Sequence, residues 1–205
     1  MTQISRRQLL LAGTALAVMG ANAPAFALDV AELNKPPALG EMALGAGEDA
    51  KVTIIEYASA TCGHCAAFHK DAYKKLKAEY IDTNKVRFVF REFPLNDAAL
   101  AAFMIARAAP KESYFPLMDV FFETLDTWAK NPAEGLLNIA KQAGFTQEKF
   151  DATLKDQNLA KAIMEIRDGG TKFGVEGTPT FFINGELYDG ERTFEAFKAK
   201  IDPLL

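Results

Sequence analysis

The chain has 205 residues, 49% hydrophobic and 24% charged, a globular composition at a length that suits one elaborated domain. Its net charge of −4 argues against a nucleic-acid partner, and two cysteines are too few to staple a small scaffold. The single close pair, Cys62 and Cys65, therefore asks for a chemical reason.

The N-terminus has the layout of a targeting segment. Met1–Arg7 is short and basic through Arg6 and Arg7, Leu9–Gly20 is apolar and small, and Ala25-Phe26-Ala27 is a small-x-small cleavage signature. Residues 1–27 are expected to be a cleaved export signal, leaving a mature chain that starts at Leu28 with a net charge of −6. The apolar run is shorter than the about 20 residues a membrane span needs. Ser5-Arg6-Arg7-Gln8-Leu9-Leu10 also resembles a twin-arginine signal, and either export route ends where disulfides persist.

Residues 28–50, with Pro36-Pro37, Gly40, Gly45 and Gly47, read as an extended leader with room for an edge strand and no recognisable chemistry. Val52–Tyr57 is short, β-branched and nearly continuous, as a buried strand is, with Glu56 as its anomaly. After the cysteines, Phe68, Ala72, Leu76 and Tyr80 make an apolar helical stripe over Ala66–Tyr80, and the lysines sit mostly off it. Val86–Phe90 reads as a second strand, so the order strand–helix–strand predicts a parallel crossover.

From residue 96 to 172 the pattern is helical. Asn96 and Asp97 can cap a first helix; Leu117, Phe121, Leu125 and Trp128 form a stripe; Ala133–Ala143 ends at Gly144. Thr146 can cap a short helix, and Leu159–Phe173 makes another that is interrupted or ended near Gly169-Gly170. Thr180–Ile183, Asn184-Gly185 and Glu186–Tyr188 read as a hairpin, because Asn-Gly is the strongest short hairpin signal. Thr193 can cap a last helix carrying Phe194, Phe197 and Ile201. With the helical block removed, residues 51–205 leave a small α/β sheet, so the block reads as an all-helical insertion.

Cys62-Gly63-His64-Cys65 stands where a strand delivers a thiol to the first turn of a helix. Free N–H groups and the helix dipole favour a thiolate there. Cys62, expected as the first helical residue, is the candidate nucleophile; Cys65, one turn inside, is the candidate resolving thiol. His64 can present an N–H or positive charge to the thiolate. Glu56, if buried, can pass protons to or from Cys65. His69 is expected on the helix surface, Met104, Met118 and Met164 in ordinary helix packing, and Trp128 in the core or on a groove wall.

Together with Gly177-Thr178-Pro179-Thr180 before the late hairpin, this layout resembles the DsbA family of periplasmic thiol–disulfide oxidoreductases. The resemblance runs from about Val52 to Ile201. It implies a thioredoxin-like fold with an inserted helical subdomain, a buried acid at Glu56, an active pair at Cys62 and Cys65, and a cis-proline at Pro179. Backbone groups of Thr178 would pair with an extended client peptide. It also implies a periplasmic oxidase with no added cofactor, its redox group being the Cys62–Cys65 disulfide. Expected partners are reduced or misoxidised exported proteins and a DsbB-type membrane quinone reductase, with the protein itself a monomer.

Gly63-His64 also resembles protein disulfide isomerase, and Thr178 before the proline resembles the bacterial isomerases, so an isomerase or reductase on the same fold is the alternative. Against it, Leu28–Lys51 is too short for the N-terminal dimerisation domain that bacterial isomerases carry. A metal carrier using Cys62, Cys65, His64 and His69 is a third reading, but those residues crowd one helical turn and its neighbour and cannot easily close a tetrahedral site.

Overall fold

The computed structural model describes residues 29–205. The expected export signal lies outside the described residues.

The central strand is β2, Val52–Ala58. It is parallel to β3, Val86–Glu92, and antiparallel to β4, Thr180–Ile183. The leader supplies a short helix α1, Val30–Leu33, and an edge strand β1, Met42–Gly45, antiparallel to β3. The hairpin partner β5, Glu186–Tyr188, closes the other edge, giving the order β1-β3-β2-β4-β5. Asn184 and Gly185, at φ 50° and 84°, make the two-residue turn that the Asn-Gly pair predicts.

Side chains alternate across a strand, so β2 divides its residues between two cores. Ile54 and Ala58 join the larger core, with Phe68, Phe90, Phe103 and Phe181. Ile55 and Tyr57 join the smaller one, with Leu33, Ile166, Val175 and Phe182. Glu56 shares the parity of Ile54 and Ala58 and so lies on the side of the larger core. The helices after the cysteines pack on that side.

Those helices depart from the single run read in the sequence. α2, Gly63–Lys70, stops at Asp71, whose φ of −125° and ψ of −81° are not helical. α3, Ala72–Leu76, then runs into a π turn over Lys77–Ile81. Phe68, Ala72, Leu76 and Tyr80 are nevertheless all buried. An apolar stripe reports which face packs inward, and a one-residue break in the backbone leaves that face unchanged.

Between β3 and β4 stand α4 (Asp97–Ala108), α5 (Tyr114–Glu123), α6 (Leu125–Trp128), α7 (Pro132–Gln142), α8 (Gln147–Lys155) and α9 (Gln157–Lys172). The caps fall where the sequence places them: Asn96, Thr146 and, for the final helix α10 (Phe194–Ile201), Thr193 each accept a backbone N–H through the side chain. Gly144, at φ +84°, ends α7.

Gly169-Gly170 does not end α9. A Cβ at position 170 would lie 2.7 Å from Tyr57 Cε1, so this glycine lets the helix approach the sheet, and the turn falls at Gly174 with φ +85°. Trp128 is buried, donates its indole N–H to the Phe121 carbonyl at 2.8 Å, and also lines a groove of about 370 Å³ in the helical block.

The helical block is tied to the sheet by a buried carboxylate. Glu92, the last residue of β3, receives Arg107 of α4 on both oxygens and the Tyr114 hydroxyl of α5 at 2.7 Å. The leader is tied similarly: Arg91 donates to Glu41 at 3.0 Å, to the carbonyls of Leu33 and Lys35, and to the Tyr57 hydroxyl.

Candidate active site

β2 ends at Ala58, and a turn in which Cys62 N–H donates to the Ser59 carbonyl at 3.0 Å delivers the first thiol. Cys62 is the N-cap of α2, with φ −85° and ψ 117°, one position before the first helical residue expected. As cap it aims Sγ back at the helix, where it accepts the Cys65 N–H at 3.3 Å. Its thiol donates to the Thr178 carbonyl at 3.3 Å, which joins the dithiol to the loop before β4.

The two thiols are driven in opposite directions. Cys62 falls from its ordinary value of 9.0 to about 5. The bond with the Cys65 thiol is the largest cause; the Thr178 side chain and the backbone N–H groups of Cys65 and His64 add to it, against the opposing effect of burial. The Thr178 hydroxyl is buried with no hydrogen-bond partner among the described residues, so it is free to serve the thiolate when one forms. Cys65 is wholly buried, and its thiol is pushed far above the ordinary range by burial first, then by Cys62 and the charge of Glu56.

His64 is exposed, and what reaches Cys62 from this residue is its backbone N–H. Glu56 is 0% exposed, and its Oε2 lies 2.8 Å from His69 Nε2. His69 corrects the sequence reading: it is 4% exposed and stacks on Phe122 with ring centroids 4.3 Å apart. Read beside Lys70 it looked solvated; in space it shares the inward face of α2 with Cys65, four residues earlier, and Glu56 supplies the partner that a buried imidazole needs. A buried strand carboxylate without an evident partner was the available signal.

The Thr178–Pro179 bond is cis. Its loop is held by Arg192, whose guanidinium donates to the Pro179 carbonyl at 3.2 Å, and by the Thr180 hydroxyl, which donates to the Gly177 carbonyl at 2.7 Å. At the turn before Cys62, Asn96 donates to the Thr61 hydroxyl at 3.1 Å, and Leu95, 50% exposed, hangs its N–H on Ser59 Oγ. Arg192, Leu95 and Asn96 were not predicted at the site: each comes from a loop remote in sequence. Among the described residues, no group of three or more His, Cys, Asp or Glu side chains stands where it could hold a metal ion.

Comparison with known proteins adds ancestry to this geometry. The thioredoxin family model matches residues 38–203. The crystal structure of alpha-DsbA1 from Wolbachia pipientis superposes with a TM-score of 0.76 at 30% identity, over 84% of this chain and 94% of that one. The chain belongs to the DsbA-like branch of the thioredoxin family. A Rickettsia bellii protein named as a protein-disulfide oxidoreductase is 35% identical over 149 residues, 71% of this chain. A Bacillus anthracis protein named as disulfide bond formation protein D is 28% identical over 166 residues, 77% of this chain and 76% of that protein. This DsbA-like chain spans 57% of the length of the Rickettsia bellii relative and 60% of its Rickettsia conorii counterpart.

Proposed function

We propose that this DsbA-like protein is an exported thiol–disulfide oxidoreductase that donates the Cys62–Cys65 disulfide to proteins folding in the periplasm. The observation that carries the reading is the opposed displacement of the two thiols: Cys62 is lowered to about 5 while Cys65 is raised. A client thiolate attacks Cys62 Sγ, the Cys62–Cys65 bond breaks, and Cys65 leaves and takes a proton. A second client thiol then attacks the client sulfur of the mixed disulfide and expels Cys62 as a stable thiolate. Two electrons pass from client dithiol to protein dithiol. A low-pKa leaving group favours this direction, because it stabilises the reduced protein.

Glu56 is assigned the proton exchange with Cys65, and the Thr178-Pro179 loop the backbone pairing with an extended client. The client edge is supported by the Thr178 carbonyl, which already faces Cys62 Sγ. The protein acts as a monomer without an added cofactor, and a DsbB-type membrane quinone reductase returns it to the disulfide form.

A glutathione redox titration of the mature chain tests the assignment. The expected midpoint is well above the about −270 mV of thioredoxin. A midpoint at or below that value would overturn the oxidase reading, and efficient reshuffling of a scrambled client without net oxidation would replace it with the isomerase.

A further inference from the structure

His69 is buried more completely than a helix-surface imidazole and is enclosed by rings. Phe122 of α5 stacks on it, Tyr73 of α3 lies at 4.4 Å, Phe68 at 5.4 Å and Phe90 of β3 at 6.1 Å. Its polar contact is Glu56 Oε2 at 2.8 Å. Glu56 Oε1 and His69 Nδ1 are both buried with no hydrogen-bond partner among the described residues. Buried polar atoms are normally satisfied, and an exception in a native core calls for an explanation. Here the unsatisfied oxygen belongs to the carboxylate whose charge acts on Cys65.

We propose that His69 is the positioning residue of the buried acid: its Nε2–H donates to Glu56 Oε2, leaving Oε1 as the one oxygen that exchanges a proton with Cys65. The assignment rests on the exchange reading above. When reduced Cys65 resolves a mixed disulfide on Cys62, its thiol proton passes through one intervening water to Oε1, which makes no direct hydrogen bond to the thiol. The Cys65–Cys62 bond forms, and the client sulfur leaves as a thiolate with the electron pair of the broken bond. In the oxidising direction each step reverses, and Oε1 returns the proton to departing Cys65. The other titratable groups facing the pair are Tyr73 of α3, Tyr114 and Asp119 of α5, and Cys65 itself. Burial holds both tyrosines protonated well above the working range, so neither competes for this proton. Asp119, half-buried on α5 and acting on His69, is the other carboxyl near the pair and needs its own control variant.

The test uses the mature chain and oxidised glutathione. Glutathione first forms a mixed disulfide on Cys62, and Cys65 then closes the internal disulfide; acid quench and mass spectrometry follow each step across about pH 4.5 to 8.5. His69→Phe is expected to slow the second step about tenfold or more near pH 6 and to move the midpoint of its pH profile upward, with the first step unchanged. His69→Gln, which keeps an N–H donor, is expected to stay within about threefold of the parent. Asp119→Asn is expected to leave the profile in place. His69→Leu replaces the phenylalanine variant if that fails to fold.

An unaltered profile in the apolar variant overturns the proposal. So does a glutamine variant as slow as the apolar one, which would make the imidazole itself the proton carrier. If the parent protein forms no internal disulfide, the exchange reading falls and this assignment with it.

Discussion

Two glutamates, on neighbouring parallel strands, are both 0% exposed, yet they differ in how they are satisfied. Glu92, at the end of β3, has both oxygens bound by Arg107, and one also accepts the Tyr114 hydroxyl. Glu56, on β2, has one oxygen on His69 and one with no partner among the described residues. Burial is therefore common to a carboxylate that fastens the helical block and to one whose charge acts on Cys65. The occupancy of the oxygens separates them: Glu92 commits both oxygens to three donors, whereas Glu56 keeps one bare oxygen on which a proton can sit.

The contrast can be broken most strongly at Arg107. Arg107→Met leaves Glu92 buried and uncompensated, and a loss of about 3–5 kcal/mol is expected in chemical denaturation. A loss under about 1 kcal/mol would mean that Glu92 is no more committed to structure than Glu56. The complementary variant, Glu56→Gln, should change stability little and slow closure of the Cys62–Cys65 disulfide by about a hundredfold, read by the same quench assay. If the same variant costs stability on the Arg107 scale, the division between the two acids fails.

A third measurement follows from the thiols. Cys62 is lowered to about 5 from an ordinary 9.0, so its charge stabilises the dithiol form fully above about pH 9, and that stabilisation is lost as the pH falls to about 5. Cys65 keeps its proton throughout this window. Reduction therefore takes up two protons below about pH 5 and one above it. The midpoint potential should fall by about 59 mV per pH unit below that point and about 30 mV per unit above it. A single slope across the range would place both thiols in the same environment.

Two smaller changes sharpen the account of Cys62. Thr178→Val removes a buried hydroxyl that serves the thiolate, and the thiolate midpoint, followed by ultraviolet absorbance, should rise by about one unit. His64→Ala removes an exposed ring while keeping the backbone N–H, so a shift under about half a unit is expected. A larger shift for His64 than for Thr178 would return the tuning role to the imidazole.

Most of the fold could be read from local patterns. The strands, the Asn-Gly hairpin and the caps at Asn96, Thr146 and Thr193 each depend on residues within a few positions of one another. The kink at Asp71 and the continuity of α9 through Gly170 could not, because each depends on what packs across the helix. Gly170 reads as a breaker in one dimension and is a point of contact with Tyr57 in three. The same division runs through the site. Cys62, Cys65 and Glu56 stand out by residue type and spacing, whereas Arg192, Asn96 and Leu95 come from loops remote in sequence.

By itself the sequence determined that a strand would deliver a cysteine pair to a helix start, because periodicity, turn residues and the Cys-x-x-Cys spacing are all local. Only the tertiary structure decided that Cys62 would cap the helix with Thr178 across from it, and that His69 would turn inward onto Glu56. Those outcomes depend on which groups exclude water together. A buried acid finds its partner across the core, at a distance that no local pattern encodes.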